Sequence, residues 1–487
     1  MIALTLPARR ASTRTVPVLA GALAVAAGVV HLLSAALPLA LALVVAGIEL
    51  ARGRRGAAQA AVAGLAAMGL VDVVAGLELG EAALTWLAAG ALWCARDTFP
   101  VVSPVRLPRR ATAMALAGAV LLLLAALRPH ADATFWMDSA GTLALWAGAT
   151  RGLVRRWREQ DVERAHVASL VRAHGADTLS AFKLRHDLRH RLYAGGLVGQ
   201  RVHAGALLVA GDPVGESADL GSVLVAAQAE ARAHGLAFGV VGGSEQCAAR
   251  ARELGWRAVY LGDEAMVPTG AMELSGGARK SLRKAVNRVA RAFTAELHLA
   301  GELDAATLER LRVVAEAWRG GAPDRGFSMA GDRIADELLP EAIVVLARGA
   351  DGAVGGFLHF VPVFGRPQMS LGMMCRDPAA PNGMTEFLVV RAAALLAERG
   401  IDEFSLNFAA FGRYLRGPVG PLQRAFAWAL RVGDRWFQLE RLQHFNLRFD
   451  PRWQARYLIV DRALALPRVA VAALQVEGHV PSLTPLR

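Results

Sequence analysis

The sequence predicts a chain of two architectures: an α-helical membrane domain of about six spans, then tandem α/β units joined by a strongly basic helix. Three observations predict it. The 487 residues are 54% hydrophobic yet carry a formal net charge of +12, two properties that one globular domain rarely combines. The first 150 residues contain no lysine and run through successive Ala/Leu/Val/Gly stretches, whereas strand and helix signals alternate from about residue 159. Between two sets of those signals stands "GGARKSLRKAVNRVAR" (276–291), with six positive charges and no acid.

Apolar runs fall at about 16–33, 35–51, 57–77, 80–95, 111–127 and 133–150. Several sit near the lower limit for a spanning helix, about 17 residues. Arginines gather on alternate connections: Arg9, Arg10 and Arg14; Arg52, Arg54 and Arg55; Arg96, Arg106, Arg109 and Arg110; Arg151, Arg155, Arg156 and Arg158. The opposite connections hold Arg128 with Glu78 and Glu81. By the positive-inside rule both the amino terminus and everything after residue 150 are expected in the cytoplasm. Asp72 and Asp138 fall within apolar runs, as functional carboxylates or as paired helix-end acids. Trp86, Trp93, Trp136 and Trp146 are read as interfacial anchors.

In the second half, "DTLSAFKLRHD" (177–187) and "HAGALLVAGDPVG" (203–215) read as strands, 217–235 as a helix and "AFGVVGG" (237–243) as a buried strand. A helix over 244–255 and a strand "RAVYLGDEAMV" (257–267) follow. Beyond the basic stretch come a helix at 304–318 and strands "AIVVLARG", "AVGGFLHFVPVF" and "QMSLGMM". A helix at 383–398 and a strand "DEFSLNF" complete the set. Antiparallel meanders mixed with helices favour acetyltransferase-like (GNAT-like) folds over a doubly wound sheet. The expected domains are 1–158 (membrane), 159–275 (first fold), 276–294 (basic helix) and 295–487 (second fold with C-terminal helices). On the basic helix, Arg279, Lys280, Arg283, Lys284, Arg288 and Arg291 spread over one half of the cylinder, with Leu282, Val286, Val289 and Phe293 on the other.

Five motifs occur in order: "GDPVG" (211–215), "ARKSLRKAVNRV" (278–289), "AEAWRGGAPDRGFSM" (315–329), "RDPAAPNGMTEFLV" (376–389) and "FSLNFAAF" (404–411). Together they resemble the cytoplasmic domain of the phosphatidylglycerol lysyltransferase family, the multiple peptide resistance factors, over about residues 165–450. The resemblance implies a membrane-anchored enzyme that moves an amino acid from aminoacyl-tRNA to phosphatidylglycerol. It also implies a change of membrane surface charge and resistance to cationic peptides. Family members often carry an acid in the strand before "RDP", where this chain has Gly372, which leaves lysine and alanine both open as donors. Six spans are also fewer than a lipid-flipping module needs, so the resemblance implies a synthase.

Aminoacyl-tRNA is an activated ester, so its transfer to a hydroxyl needs no cofactor. The site must supply alignment, a proton acceptor and donors for the oxyanion. The six cations are candidates for phosphate contact, with tRNA, with the lipid, or with both. Glu316 is a candidate for the donor's ammonium group, and Arg319 and Arg325, with Asp324 between them, for phosphate or carboxylate. Asp377 is the first candidate for general base or amine recognition and Glu386 the second, flanked by Arg376 and Asn382. Asn407 is expected to face the same crevice or to serve a local turn. Asp212, in "AGDPVG", is either a substrate ligand or part of a tight turn, and Asp177 and Arg185 are weaker candidates.

His186 and His190 have the i, i+4 spacing of a helical metal pair, but no acidic third ligand accompanies them. They are read as surface histidines, with no metal. Cys94, Cys247 and Cys375 are isolated, without a CxxC pair, and fit a reducing compartment. Three rivals remain. The first is aminoacylation of another lipid alcohol such as diacylglycerol. The second is a membrane-anchored acyl-CoA N-acetyltransferase, for which "MMCRDPAAPNGM" lacks the usual pyrophosphate loop. The third is a non-enzymatic membrane protein that binds nucleic acid.

Overall fold

The protein is described by a computed structural model over residues 79–95, 162–215, 220–277, 279–321, 326–410 and 439–480, with Leu50, Ala58, Ala61, Val62 and Phe99. It divides into two compact units, one of residues 1–158 and 229–236 and the other of residues 159–228 and 237–487. In the first, helix α1 (Leu79–Cys94) coincides with the fourth apolar run. Its 16 residues span about 24 Å, short of a bilayer core of about 30 Å. Among the described residues no helix is long and apolar enough to cross a membrane. Apart from Leu50, Ala58, Ala61 and Val62, the other five runs, with Asp72, Asp138, Trp136 and Trp146, lie outside the described residues.

The second unit opens with α2 (Arg164–His174) and a 3₁₀ turn (Ala181–Leu184). Then come β1 (Arg189–Tyr193), β2 (Gly196–His203), β3 (Ala206–Ala210), α3 (Leu220–Ala233), whose residues from Ala229 on are grouped with the first unit, and β4 (Ala237–Gly243). Next are α4 (Glu245–Glu253), β5 (Arg257–Pro268), the basic helix α5 (Lys280–Val289), β6 (Phe293–Leu299) and α6 (Ala305–Arg319). The chain continues through β7 (Ile343–Gly349), β8 (Val354–Val363), β9 (Gln368–Arg376), α7 (Met384–Ala397) and β10 (Glu403–Ala410). It finishes with α8 (Leu439–Leu447), β11 (Arg452–Val460) and α9 (Leu466–Val476).

The helix ends follow local chemistry. Ser244 caps α4 by accepting from the Cys247 amide, and Asp304 caps α6 by accepting from the Thr307 amide. Gly320, at φ 58°, ends α6 in the left-handed conformation.

The strands form one sheet in the order β1-β2-β3-β4-β11-β5-β10-β9-β8-β7-β6. Each half contains one parallel pair, β3 with β4 and β9 with β10, and the other pairings are antiparallel. The last strand, β11, therefore does not extend the second fold. It lies between β4 and β5 within the first half, whose β5 pairs with β10 to join the halves, and α9 packs onto the first half through Val469 and Ala472 against Leu208 and Val241. Residues 452–476, expected with the second fold, complete the first.

The basic helix buries Leu282, Val286 and Val289 against Met384, Phe387 and Leu388 of α7, as its periodicity predicts. Each such burial contributes roughly 1.5–3 kcal/mol. The opposite face of the second half is covered by α6, through Leu311 and Val314, and by α2.

"DTLSAFKLRHD" is not a strand. Asp177 Oδ1 accepts from the Leu179 amide, and Lys183 N donates to Ser180 O, so a turn and a 3₁₀ coil replace extended backbone. The β1–β2 and β2–β3 hairpins were not expected. Each closes on two residues of positive φ, Ala194–Gly195 and Ala204–Gly205, with alanine where asparagine is the usual signal.

Candidate active site

In both parallel pairs the second strand continues beyond the paired residues. β9 and β10 pair only at residues 368–370 with 403–405, and β3 and β4 pair at 206–210 with 237–241. The second strand of each pair turns left-handed where it leaves its partner, at Asn407 (φ 71°) in β10 and Gly242 (φ 79°) in β4. Because β4 and β10 run in opposite directions, the two clefts open towards opposite ends of the sheet.

The first cleft, about 490 Å³, is polar. Asp177, Thr178, Asp212, Ser244, Glu245 and Arg456 line it. Asp212 accepts from the Ser244 amide at 2.8 Å and from its hydroxyl at 2.5 Å. Arg456, 2% exposed, donates to Glu264 Oε2 at 2.7 and 2.9 Å and to Asp177 Oδ2 at 2.9 Å. Burial alone would lower its pKa, but the carboxylates of Asp177 and Glu264 raise it. Behind this floor Lys183 donates to Ala210 O at 2.7 Å, and burial pulls its ammonium down to about 8 against the pull of Asp177 and Asp212. Burial raises the carboxyl of Asp212, and the nearby carboxylate of Asp177 raises it further.

The second cleft, about 580 Å³, is apolar, walled by Met329, Leu371, Met373, Met374, Leu406 and Leu458. Glu477 is the one acidic side chain among its described lining residues. Burial raises the Glu477 pKa, although its carboxylate accepts from Ser328 Oγ and from the Phe327 and Ser328 amides.

A strap, residues 326–331, runs between the clefts. Asn407 Nδ2 donates to Met329 O, Arg185 Nη1 donates to Ala330 O at 2.7 Å, and Gly331 N donates to Gly372 O. Gly242 O accepts from Arg456 of the polar cleft. A side chain at Gly242 would meet Ser328 Oγ at 3.2 Å and the Sδ of Met329, a wall of the apolar cleft, at 3.6 Å, so the clefts approach each other on either side of these residues.

Of the sequence candidates, Asp212 and Asp177 line the polar cleft and Asn407 lines the apolar one. Asn407 also makes the local turn, its amide donating to Ser405 Oγ. Asp377, Glu386 and Glu316 line neither cleft. Asp377 Oδ1 accepts from the Ala379 amide in a turn, Glu386 is paired with Arg448, and Glu316 is exposed near the end of α6. Arg376 stacks over the Trp318 ring, Asn382 O accepts from Arg288, and Arg319 is exposed at the end of α6. Asp324 and Arg325 lie outside the described residues.

Lys280, Lys284, Arg288 and Arg291 are exposed on or just beyond α5. Arg283 instead holds the preceding loop through the Leu274 and Gly276 carbonyls, and half-buried Arg279 approaches Asp450 at 3.9 Å. His190 is not a surface residue: it is 2% exposed in β1 and bonded to Lys183 O. His186 lies in the loop before β1, beside Asp332, so the two histidines do not share a helix.

Arg456, Lys183, Glu264 and Glu477 were missed. For the first three the signal is a charge inside an apolar run ("FKL", "GDEAMV", "RYLIV"), which must be paired if the run is buried, whereas Glu477 caps a helix end.

Gly372 also has a physical reason. A Cβ there would sit 2.7 Å from Nδ1 of His359, whose imidazole burial drives down to about 4. Gly372→Ala is expected to cost about 1–3 kcal/mol by overpacking, read as a lower denaturation midpoint.

A sheet with two parallel pairs, each with a cleft beyond its paired residues, defines a GNAT-like, acyltransferase-type fold built twice in one chain. The chain belongs to the family described as phosphatidylglycerol lysyltransferase, C-terminal, whose model matches residues 168–460. It is 33% identical over 378 residues to the lysylphosphatidylglycerol biosynthesis bifunctional protein LysX of Nocardia farcinica, covering 76% of this chain and 31% of that one. The LysX protein of Mycobacterium marinum is 31% identical over 442 residues, 88% of this chain and 39% of that one. The chain thus spans about a third of the length of these relatives.

Two solved structures share the fold at 21% identity. L-PGS from Bacillus licheniformis has a TM-score of 0.58 and covers 67% of this chain and 100% of its own. A C-terminal domain assigned to lysylphosphatidylglycerol synthetase in Agrobacterium fabrum has a TM-score of 0.55, with 66% and 100% covered.

Proposed function

We propose that the protein is a membrane-anchored, multi-pass aminoacyltransferase whose catalytic part faces the cytoplasm. It moves lysine or alanine from aminoacyl-tRNA to a hydroxyl of phosphatidylglycerol, and so changes surface charge and resistance to cationic peptides. One observation carries the reading: two clefts of opposite polarity enter one sheet from opposite ends and converge on Gly242 and Met329.

Asp177 and Asp212 suit the ammonium of the aminoacyl group, and the apolar cleft suits an acyl chain of the acceptor lipid. The lipid oxygen attacks the ester carbonyl. Its C–O bond forms as the bond to ribose breaks, and the hydroxyl proton ends on the departing ribose oxygen. Glu477 is our candidate for the group that relays this proton, because it is the acid lining the acceptor cleft. Exposed Lys280 and Lys284 suit the phosphates of the RNA.

Lipid mass spectrometry of cells with and without the gene tests the reading. Loss of an aminoacylated phosphatidylglycerol on deletion is expected, and its mass identifies the amino acid. An unchanged lipid profile would remove the proposal.

A further inference from the structure

The end of the sheet at which the apolar cleft opens carries a surface that the transfer chemistry does not use. α6 ends there, and its Trp318 is 47% exposed with the Arg376 guanidinium 5.2 Å from the ring centroid. Arg376 Nη1 lies 3.4 Å from Ala380 O, and Arg288 Nη1 lies 3.4 Å from Asn382 O, so one loop ties the stacked pair to the basic helix. Gly383 (φ 101°) packs that loop onto Ala285, where a Cβ would approach to 2.8 Å.

α5 reaches the same end at its C-terminus, since β6 begins at Phe293 opposite Gly349. Arg288 and Arg291 are exposed there, and Arg291 makes no ion pair among the described residues. β11 also ends here, followed by Leu464 at 85% exposure. β11 and β9 are separated by two strands, so Leu464 and Arg376 sit roughly 15 Å apart across the sheet end. Arg376 lies two residues beyond Met374, a wall of the apolar cleft, or about 7 Å along β9.

An indole, an exposed leucine and several arginines around the mouth of an apolar cavity are the chemistry of an anionic bilayer interface. We infer that this rim, built on Trp318, Arg376, Arg288, Arg291 and Leu464, docks on an anionic lipid surface and sets the apolar cleft at headgroup depth. The inference rests on the lipid-acceptor reading and names the surface by which that acceptor is reached. Charge complementarity favours the bilayer here over RNA. The cations share the rim with exposed apolar side chains, whereas the polar cleft opens at the opposite end.

The test uses the full chain in nanodiscs containing brominated lipids. Fluorescence of the wild type minus that of Trp318→Phe isolates the Trp318 signal. In phosphatidylglycerol discs this difference is expected to be quenched, and in phosphatidylcholine discs it is not. Arg288→Gln with Arg291→Gln should lower the docked fraction in anionic discs by about tenfold or more. Equal quenching in both lipids, or none in either, overturns the inference. So does a Trp318 signal that answers to added tRNA and ignores lipid charge, which would make the rim an RNA surface. Quenching needs no turnover, so it is read separately from transfer activity: docking without transfer would count against the proposed reaction alone.

Discussion

Replacing Arg456 with methionine is expected to destabilise the protein by about 3–5 kcal/mol. The guanidinium is fully buried and joins three segments: β11, which carries it; β5, through Glu264; and the turn at Asp177 and Thr178. Its removal takes the ion-pair partner from the Glu264 and Asp177 carboxylates, and Glu264 Oε1 already lacks a partner. The size of the effect comes from stranding those charges, because the intact pair is worth far less than the damage done by removing one member. Arg456→Met combined with Glu264→Met should therefore recover much of the loss. Denaturant midpoints of the two single variants and the double variant measure this directly. Additive losses would show that Arg456 and Glu264 are not coupled.

Reversing charge at Lys280 and Lys284 is expected to give the largest effect on donor use. Both are exposed on α5, away from the loop contacts that occupy Arg283. If each meets one phosphate, the log–log salt dependence of donor affinity should flatten by about 1.5. At about 50 mM salt the apparent KM for aminoacyl-tRNA should rise at least tenfold, and the two proteins should converge as salt rises. Parallel salt profiles would return both lysines to a merely solvated face.

The amphipathic basic helix was readable because its pattern is local: three apolar residues at helical spacing, all buried, under a row of cations. Most strands of the second fold were readable for the same reason. What could not be read was pairing at long range. Nothing in "RWQARYLIV" says that it enters the sheet between β4 and β5, some 200 residues away in sequence. Of the site candidates, Asp212 follows the apolar strand β3 and Asn407 interrupts β10 with a left-handed residue, and these local signals place them in the cleft linings. Asp377 and Glu386 instead satisfy a turn and an ion pair outside both clefts, roles that acids near a helix start take as readily as chemistry. Lys183, Arg456 and Glu477 gain their meaning from partners that only the fold supplies.

The central claim is that an RNA-borne aminoacyl ester and a lipid alcohol meet between the two clefts. It is tested most directly with purified full-length protein in phosphatidylglycerol vesicles, supplied with tRNA charged with radiolabelled amino acid. Label should appear in the lipid fraction, and RNase treatment of the donor beforehand should abolish it. Label that reaches lipid from free amino acid and ATP without tRNA, or never reaches lipid from charged tRNA, would contradict the account.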